Sequence, residues 1–282
     1  MKQYLNLMKH VLETGEDDNT ERTGVGTVCT FGEHIKFDLR DGFPAVTTKK
    51  LAWKGVISEL LWFIRGSSNL YELRAILHGE ENRYNDEKKT IWDANYNKQA
   101  KDLGYTDGEM GPIYGSQWRN FNGVDQLKEM LTLAQQDPSN RRLIISAWNP
   151  GDLKKMTLPP CHYMYQINIK GDYIDVLFKM RSVDLFLGCP FDIASYAALT
   201  HILARILGKK ARYLSCHFGN THVYKNHVDQ AYQQLERAPM TPPTLWIDPA
   251  LQTLEDFEKA TIDQFRLDNY NHHDPIKADM AV

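Results

Sequence analysis

Residues 158–166 read LPPCHYMYQ and residues 180–196 read MRSVDLFLGCPFDIASY, and the segment between them turns back on itself. Residues 163–169 and 173–178 are rich in β-branched and aromatic side chains, and Lys170-Gly171-Asp172 supplies the turn that predicts a hairpin. Residues 191–207 then stay apolar over most of their length, broken by His201 and Arg205, which predicts a long buried helix. Pro159 and Pro160 deny helix to the chain just before Cys161 and present that side chain at the entrance of a strand. A cysteine in such a place is more often packing than catalyst. Here Arg181, Asp184 and Asp192 follow within about thirty residues, and a guanidinium beside a thiol raises its thiolate fraction. Cys161 is therefore a candidate nucleophile.

Working outward, residues 143–148 and 212–218 read as further strands, and residues 124–136 as an amphipathic helix closed by Asp137-Pro138. Residues 223–236 read as another helix, with Asn220 or Thr221 able to cap it. At the N-terminus Leu5, Met8, Val11 and Leu12 recur at helical spacing before Gly15, and residues 21–39 read as a basic loop feeding a strand pair. Residues 55–66, GVISELLWFIRG, form an apolar helix around Glu59, whose carboxyl is costly to bury ionised and is suited to proton transfer with a raised pKa. Residues 78–90 are polar and predict an exposed excursion. The pattern gives one α+β domain over residues 1–282, a mixed sheet packed against helices, with a small insertion at about 71–105.

Composition narrows the function classes. A net charge of −3 gives no general attraction to nucleic acid, so any anion site must come from a local arginine cluster. The 4 cysteines are widely spaced, with no paired metal-ligand motif, which argues against structural disulfides and zinc and fits a reduced, cytoplasmic setting. The N-terminal helix lacks a signal peptide's apolar core, and no run reaches membrane-spanning length.

The full string from Leu158 to Tyr196 closely resembles the core of the thymidylate synthase superfamily. That resemblance implies a homodimer whose sheets form the interface, and 5,10-methylenetetrahydrofolate as co-substrate without a metal. It assigns attack on pyrimidine C6 to Cys161, proton and water organisation to Glu59, and help in removing the C5 proton to Tyr114 of GPIYGSQWR. His162 stands beside the nucleophile either as a participant or as a satisfied strand-entrance histidine. Arg22, Arg141, Arg142, Arg181 and Ser182 match the phosphate-binding positions, with Arg141 and Arg142 reaching across from the partner subunit. Arginine's planar fork suits that role. His222 and Tyr224 match the residues that hold the ribose hydroxyl. Lys49, Ile91, Trp92, Asp184, Leu187, Gly188 and Phe191 match the folate side, and Ala281 lies in a short apolar tail resembling a closing lid.

One departure bears on the substrate. The family's asparagine in PFNIASY is Asp192 here. An asparagine amide complements the edge of uracil, whereas a carboxyl can accept from the cytosine 4-amino group and share a proton with N3. Asp192 and Met180 both resemble the deoxycytidylate hydroxymethylases of the same superfamily. The expected reaction is therefore methylation of dCMP at C5. Trp92, Leu158 and the tail favour the dry, reductive branch over hydroxymethylation, in which water attacks instead. Ordinary action on dUMP stays open if Asp192 is protonated. A non-catalytic RNA-binding role has the intact Cys161 and Glu59 against it. A virus that modifies its DNA would have use for such an enzyme.

Overall fold

The computed structural model describes residues 1–19 and 24–279. In chain order the elements are α1 (Lys2–Thr14), β1 (Glu16–Asp18), β2 (Thr27–Asp38), α2 (Trp53–Ile64), α3 (Leu70–His78), α4 (Asp93–Asn95), α5 (Tyr114–Arg119) and α6 (Gln126–Gln136). Then follow β3 (Ile144–Ser146), β4 (His162–Lys170), β5 (Tyr173–Asp184), α7 (Gly188–Ile206), β6 (Lys210–Tyr224), α8 (Val228–Leu235), β7 (Thr244–Ile247), α9 (Leu254–Lys259) and β8 (Phe265–Asp268).

Six strands form one mixed sheet in the order β1-β2-β6-β5-β4-β3, and β7 pairs with β8 in a separate two-stranded sheet. Every neighbouring pair in the large sheet is antiparallel except β5 and β6. Parallel strands need a crossover, and α7 supplies it. This helix is apolar nearly all round because it is covered twice, by β5 and β6 on one side and by α2 on the other. Pro190 falls in its first turn, where a missing N–H costs nothing, so the helix starts at Gly188 and not at residue 191.

Strand lengths depart most from the sequence reading. β5 continues past Phe178 to Asp184, paired with β6 as far as His222, and β6 continues past Phe218 to Tyr224, its last residues paired with β2. β6 is also held on its far side by β2. The 220–224 segment is thus strand, the helix expected from residue 223 begins only at Val228, and Asn220 bonds His222 and caps no helix. These extensions carry Arg181, Ser182, Asp184, His222 and Tyr224 on strands, a stiffer support than loops.

One face of the sheet lies on the core with α2 and α7. Leu73, Trp92, Tyr96 and Ala100, from the region expected to be an insertion, belong to that same core. The opposite face leaves Phe31, Ile144 and Trp148 exposed, around a cavity that Tyr163, Met164 and His217 also line. An apolar patch of that kind on a sheet face marks an interaction surface.

Candidate active site

Cys161 sits immediately before β4, where the pairing with β5 slips between His162 and Met164. Such bulges re-aim side chains. The Cys161 carbonyl accepts from Arg181 N at 2.9 Å, which ties the loop to β5. The two prolines hold out their carbonyls to the guanidinium: Arg181 Nε donates to Pro160 at 3.0 Å and Nη2 to Pro159 at 2.8 Å. The same Nη2 lies 3.7 Å from Cys161 Sγ. Pro-Pro before the cysteine therefore does two things: it blocks helix, and it anchors the cation that a thiolate needs.

Tyr114 opens α5 and is nearly fully buried. Its hydroxyl oxygen accepts from Cys161 N at 2.8 Å, and burial first, then the neighbouring Cys161, holds its pKa well above the ordinary tyrosine value. The phenol stays neutral and keeps its proton. Behind it, the His162 ring stacks at 4.1 Å and bonds Tyr196 Oη through Nδ1 at 2.9 Å. Burial pushes His162 down to about 3. A neutral, stacked imidazole supports Tyr114; as a proton carrier near neutrality it is poorly poised.

Glu59 projects from α2 into the same cleft. Trp92 Nε1 donates to its Oε1 at 2.6 Å, and desolvation pushes the carboxyl up to about 7 even against that bond. An acid with that proton affinity can both give and take a proton at physiological pH.

Asp192 lies on the first turns of α7, facing the cleft. Burial, followed by the charges of Glu59 and Asp184, holds its carboxyl well above the usual carboxylate range. That environment favours the protonated acid, which has one donor and one acceptor to present. Asp184 is arranged differently. Its Oδ1 accepts from Phe186 N at 2.9 Å and Leu187 N at 3.2 Å, closing the turn into α7 and leaving Oδ2 for a ligand.

These groups share a cleft of about 440 Å³, within the range of small-molecule sites. Its lining includes Glu59, Ile91, Trp92, Tyr114, Cys161, His162, Ser182, Asp184, Leu187, Gly188, Phe191, Asp192 and Tyr224. His222 stands edge-on to Tyr224 at 4.9 Å, just behind that wall. Leu187 and Phe191 offer apolar surface beside the Asp184 oxygen. A flat heterocycle with N–H donors on one edge fits that acceptor and its apolar flank.

One expected site residue turns away from this cleft. Lys49 is buried, with its ammonium donating to the Phe186 carbonyl and lying 3.6 Å from the Phe186 ring centre, so it faces the protein and not a ligand tail. Burial brings it down to about 8. Arg141 and Arg142 are exposed beside β3, outside the cleft of their own chain. Arg22 and Ala281 lie outside the described residues. Among those residues, no cluster of three or more His, Cys, Asp or Glu is placed to hold a metal ion.

Sequence reading missed Gly55, Ser58, Leu73, Leu77, Thr90 and Asn95, which complete the wall. Helical spacing could have found some of them. Gly55 and Ser58 precede Glu59 by four and one residues on α2, and Leu73 and Leu77 are four apart on α3.

The thymidylate synthase family profile matches residues 2–282. The thymidylate synthase of Enterobacteria phage T4 is 48% identical over 291 residues, covering 100% of both chains. A probable thymidylate synthase of Escherichia phage T5 is 47% identical over 283 residues, again covering 100% of both. The crystal structure of the T4 phage thymidylate synthase superposes with a TM-score of 0.93 over 100% of both chains.

Proposed function

The chain belongs to the thymidylate synthase family, and from that premise we propose that it methylates C5 of dCMP. Its class is that of a folate-dependent pyrimidine C5 methyltransferase, with 5,10-methylenetetrahydrofolate as co-substrate. The observation that carries the reading is the convergence of Cys161, Tyr114, Glu59 and Asp192 on one cleft, with Arg181 beside the sulfur.

Cys161 Sγ adds to C6, and the C5–C6 π pair moves onto C5, which becomes the nucleophile. The folate supplies a one-carbon unit and then a hydride, leaving as dihydrofolate. Tyr114, whose oxygen accepts from Cys161 N, is assigned the C5 proton, and Glu59 is assigned proton exchange with the ring. The C6–S bond breaks last and returns the thiolate. Arg181 stabilises the sulfur anion at both ends of the cycle. Trp92, Leu158 and Phe191 shield the centre from water, which favours hydride over hydroxide.

The cytosine reading rests on Asp192. As a neutral acid its carbonyl accepts from the 4-amino group while its hydroxyl donates to N3, where charge develops after sulfur attack. An asparagine could not give up that proton. The second reading is dUMP: a protonated Asp192 can donate to O4 and accept from N3–H, and both phage relatives carry the name thymidylate synthase. The phage relatives also support a viral source.

A homodimer completes the site in this reading. Arg141 and Arg142 stand clear of their own cleft, next to the exposed Ile144 and Trp148 of the open sheet face. A partner docked on that face would receive them at its phosphate pocket, alongside its own Arg181, Ser182 and Arg22. The test incubates enzyme, nucleotide and methylenetetrahydrofolate, following dihydrofolate absorbance and the mass of the nucleotide product. A methylated nucleotide with one dihydrofolate per turnover is expected, and C161S should abolish both. A hydroxymethyl product without dihydrofolate would overturn the reductive branch.

A further inference from the structure

Arg74 is among the most deeply buried side chains of the protein, 1% exposed, and no part of it touches the cleft. A guanidinium is removed from water only where it is paired, because an isolated buried charge is strongly unfavourable. Besides the Tyr71 ring, 5.5 Å away, its partners are two carboxylates of one short segment. Nη2 meets Asp93 Oδ1 at 2.8 Å, and Nη1 meets Asp86 Oδ1 at 2.9 Å, while Nε has no partner. Asp93 is nearly as buried, and its other oxygen is fully occupied: Oδ2 accepts from Thr90 N at 2.6 Å and Thr90 Oγ1 at 2.9 Å. Thr90 Oγ1 in turn accepts from Trp92 N at 3.2 Å. The turn from Thr90 to Asp93 is thus locked at both ends. Trp92 stands inside it, edge-on to Trp62 and Tyr114, with its indole N–H on Glu59.

We propose that the Arg74–Asp93 pair is a positioning device for the acid–base centre, which fixes the Thr90–Asp93 turn so that Trp92 stays bonded to Glu59 and sets when Glu59 releases its proton. Arg74 is a positioning residue and not a catalytic one, since it acts through Asp93, Thr90 and Trp92. The direction of its effect follows from the last link. The indole bond favours the ionised carboxylate, so loosening it makes Glu59 hold its proton to higher pH. A purely structural arginine would lower stability and leave that proton affinity where it was.

This inference rests on the proposed function only in calling Glu59 an acid–base group. The test is therefore read without nucleotide or folate. Protein labelled with ¹³C at the glutamate side-chain carboxyl is titrated by NMR, with the Glu59 resonance assigned by its loss in E59Q. W92F removes the bond directly and should raise the Glu59 midpoint by about one to two pH units, the size of one charge-assisted bond. R74M should raise it by a similar amount, the double variant R74M/W92F should add nothing further, and R74K should return most of the shift. T90V, which breaks the same turn without unpairing a buried charge, should move the midpoint in the same direction and carries the test if R74M does not fold. A Glu59 midpoint unchanged in R74M or T90V while W92F moves it would overturn the proposal, as would no movement in W92F. If the shifts appear but the wild-type enzyme turns over neither nucleotide, the positioning stands and the functional reading falls.

Discussion

The hydroxyl oxygen of Tyr114 accepts the backbone N–H of Cys161 at 2.8 Å, so the residue assigned to the C5 proton is tied to the backbone of the nucleophile. One contact from α5 thus registers the nucleophile against the aromatic wall formed by Phe63, Trp92 and His162.

Removing that oxygen should cost both chemistry and fold. Y114F leaves the Cys161 amide without its acceptor, a loss of about 1–3 kcal/mol for a buried donor. It also removes the proton-handling group, for which a drop of roughly 10²–10⁴ in kcat is expected. Steady-state kinetics and urea unfolding check the two together. Full activity in Y114F would remove Tyr114 from the reaction.

Glu59 makes a prediction about stability and pH. Its folded pKa of about 7 lies above the ordinary 4.5, so the fold binds the protonated form more tightly than the unfolded chain does. That contribution is complete below about pH 4.5 and is lost as pH rises through 7, with a size of about 1–3 kcal/mol. E59Q cannot ionise and should not show it. The difference in unfolding free energy between wild type and E59Q should therefore move against the wild type from pH 5 to pH 8. His162 works in the opposite sense: with its folded pKa depressed to about 3, its contribution is complete above 6.5 and fades as pH falls.

Gly115 is where α5 meets α2 at closest range. A Cβ there would stand 2.6 Å from Phe63 Cα and 2.7 Å from Phe63 O, both backbone atoms that cannot turn aside. G115A should destabilise by about 1–3 kcal/mol and displace the neighbouring Tyr114. A thermal melt matching wild type, with unchanged kcat, would show that the two helices are free to separate.

The proposed dimer predicts complementation. C161S subunits should be inactive alone and R142A subunits weakly active. Mixed after reversible unfolding, they form heterodimers carrying one site with both an intact sulfur and an intact partner arginine, and about a quarter of wild-type activity should return. No recovery would place Arg142 outside the site.

Much of this was legible in the sequence because the signals were local. The cysteine after two prolines, the hairpin turn at Gly171 and the apolar run of α7 each declare themselves within a few residues. What escaped was set by pairing at a distance. Asn220 is a poor strand former, yet β2 and β5 pair with it in β6 from both sides. Lys49 matches the folate side, but Phe186, far along the chain, supplies a buried carbonyl that turns it inward. Arg74 and Asp93 lie 19 residues apart, and no periodicity marks them as partners. The two-stranded β7–β8 sheet was also missed, since α9 separates its strands.

The base preference is tested most directly by competition. An equimolar mixture of dCMP and dUMP with limiting methylenetetrahydrofolate gives the ratio of kcat/KM values as the ratio of products, read by mass spectrometry. The account predicts that 5-methyl-dCMP predominates with wild-type enzyme, and that D192N reverses the preference toward thymidylate by up to roughly 10⁴-fold. Thymidylate as the main wild-type product, unchanged in D192N, would contradict it.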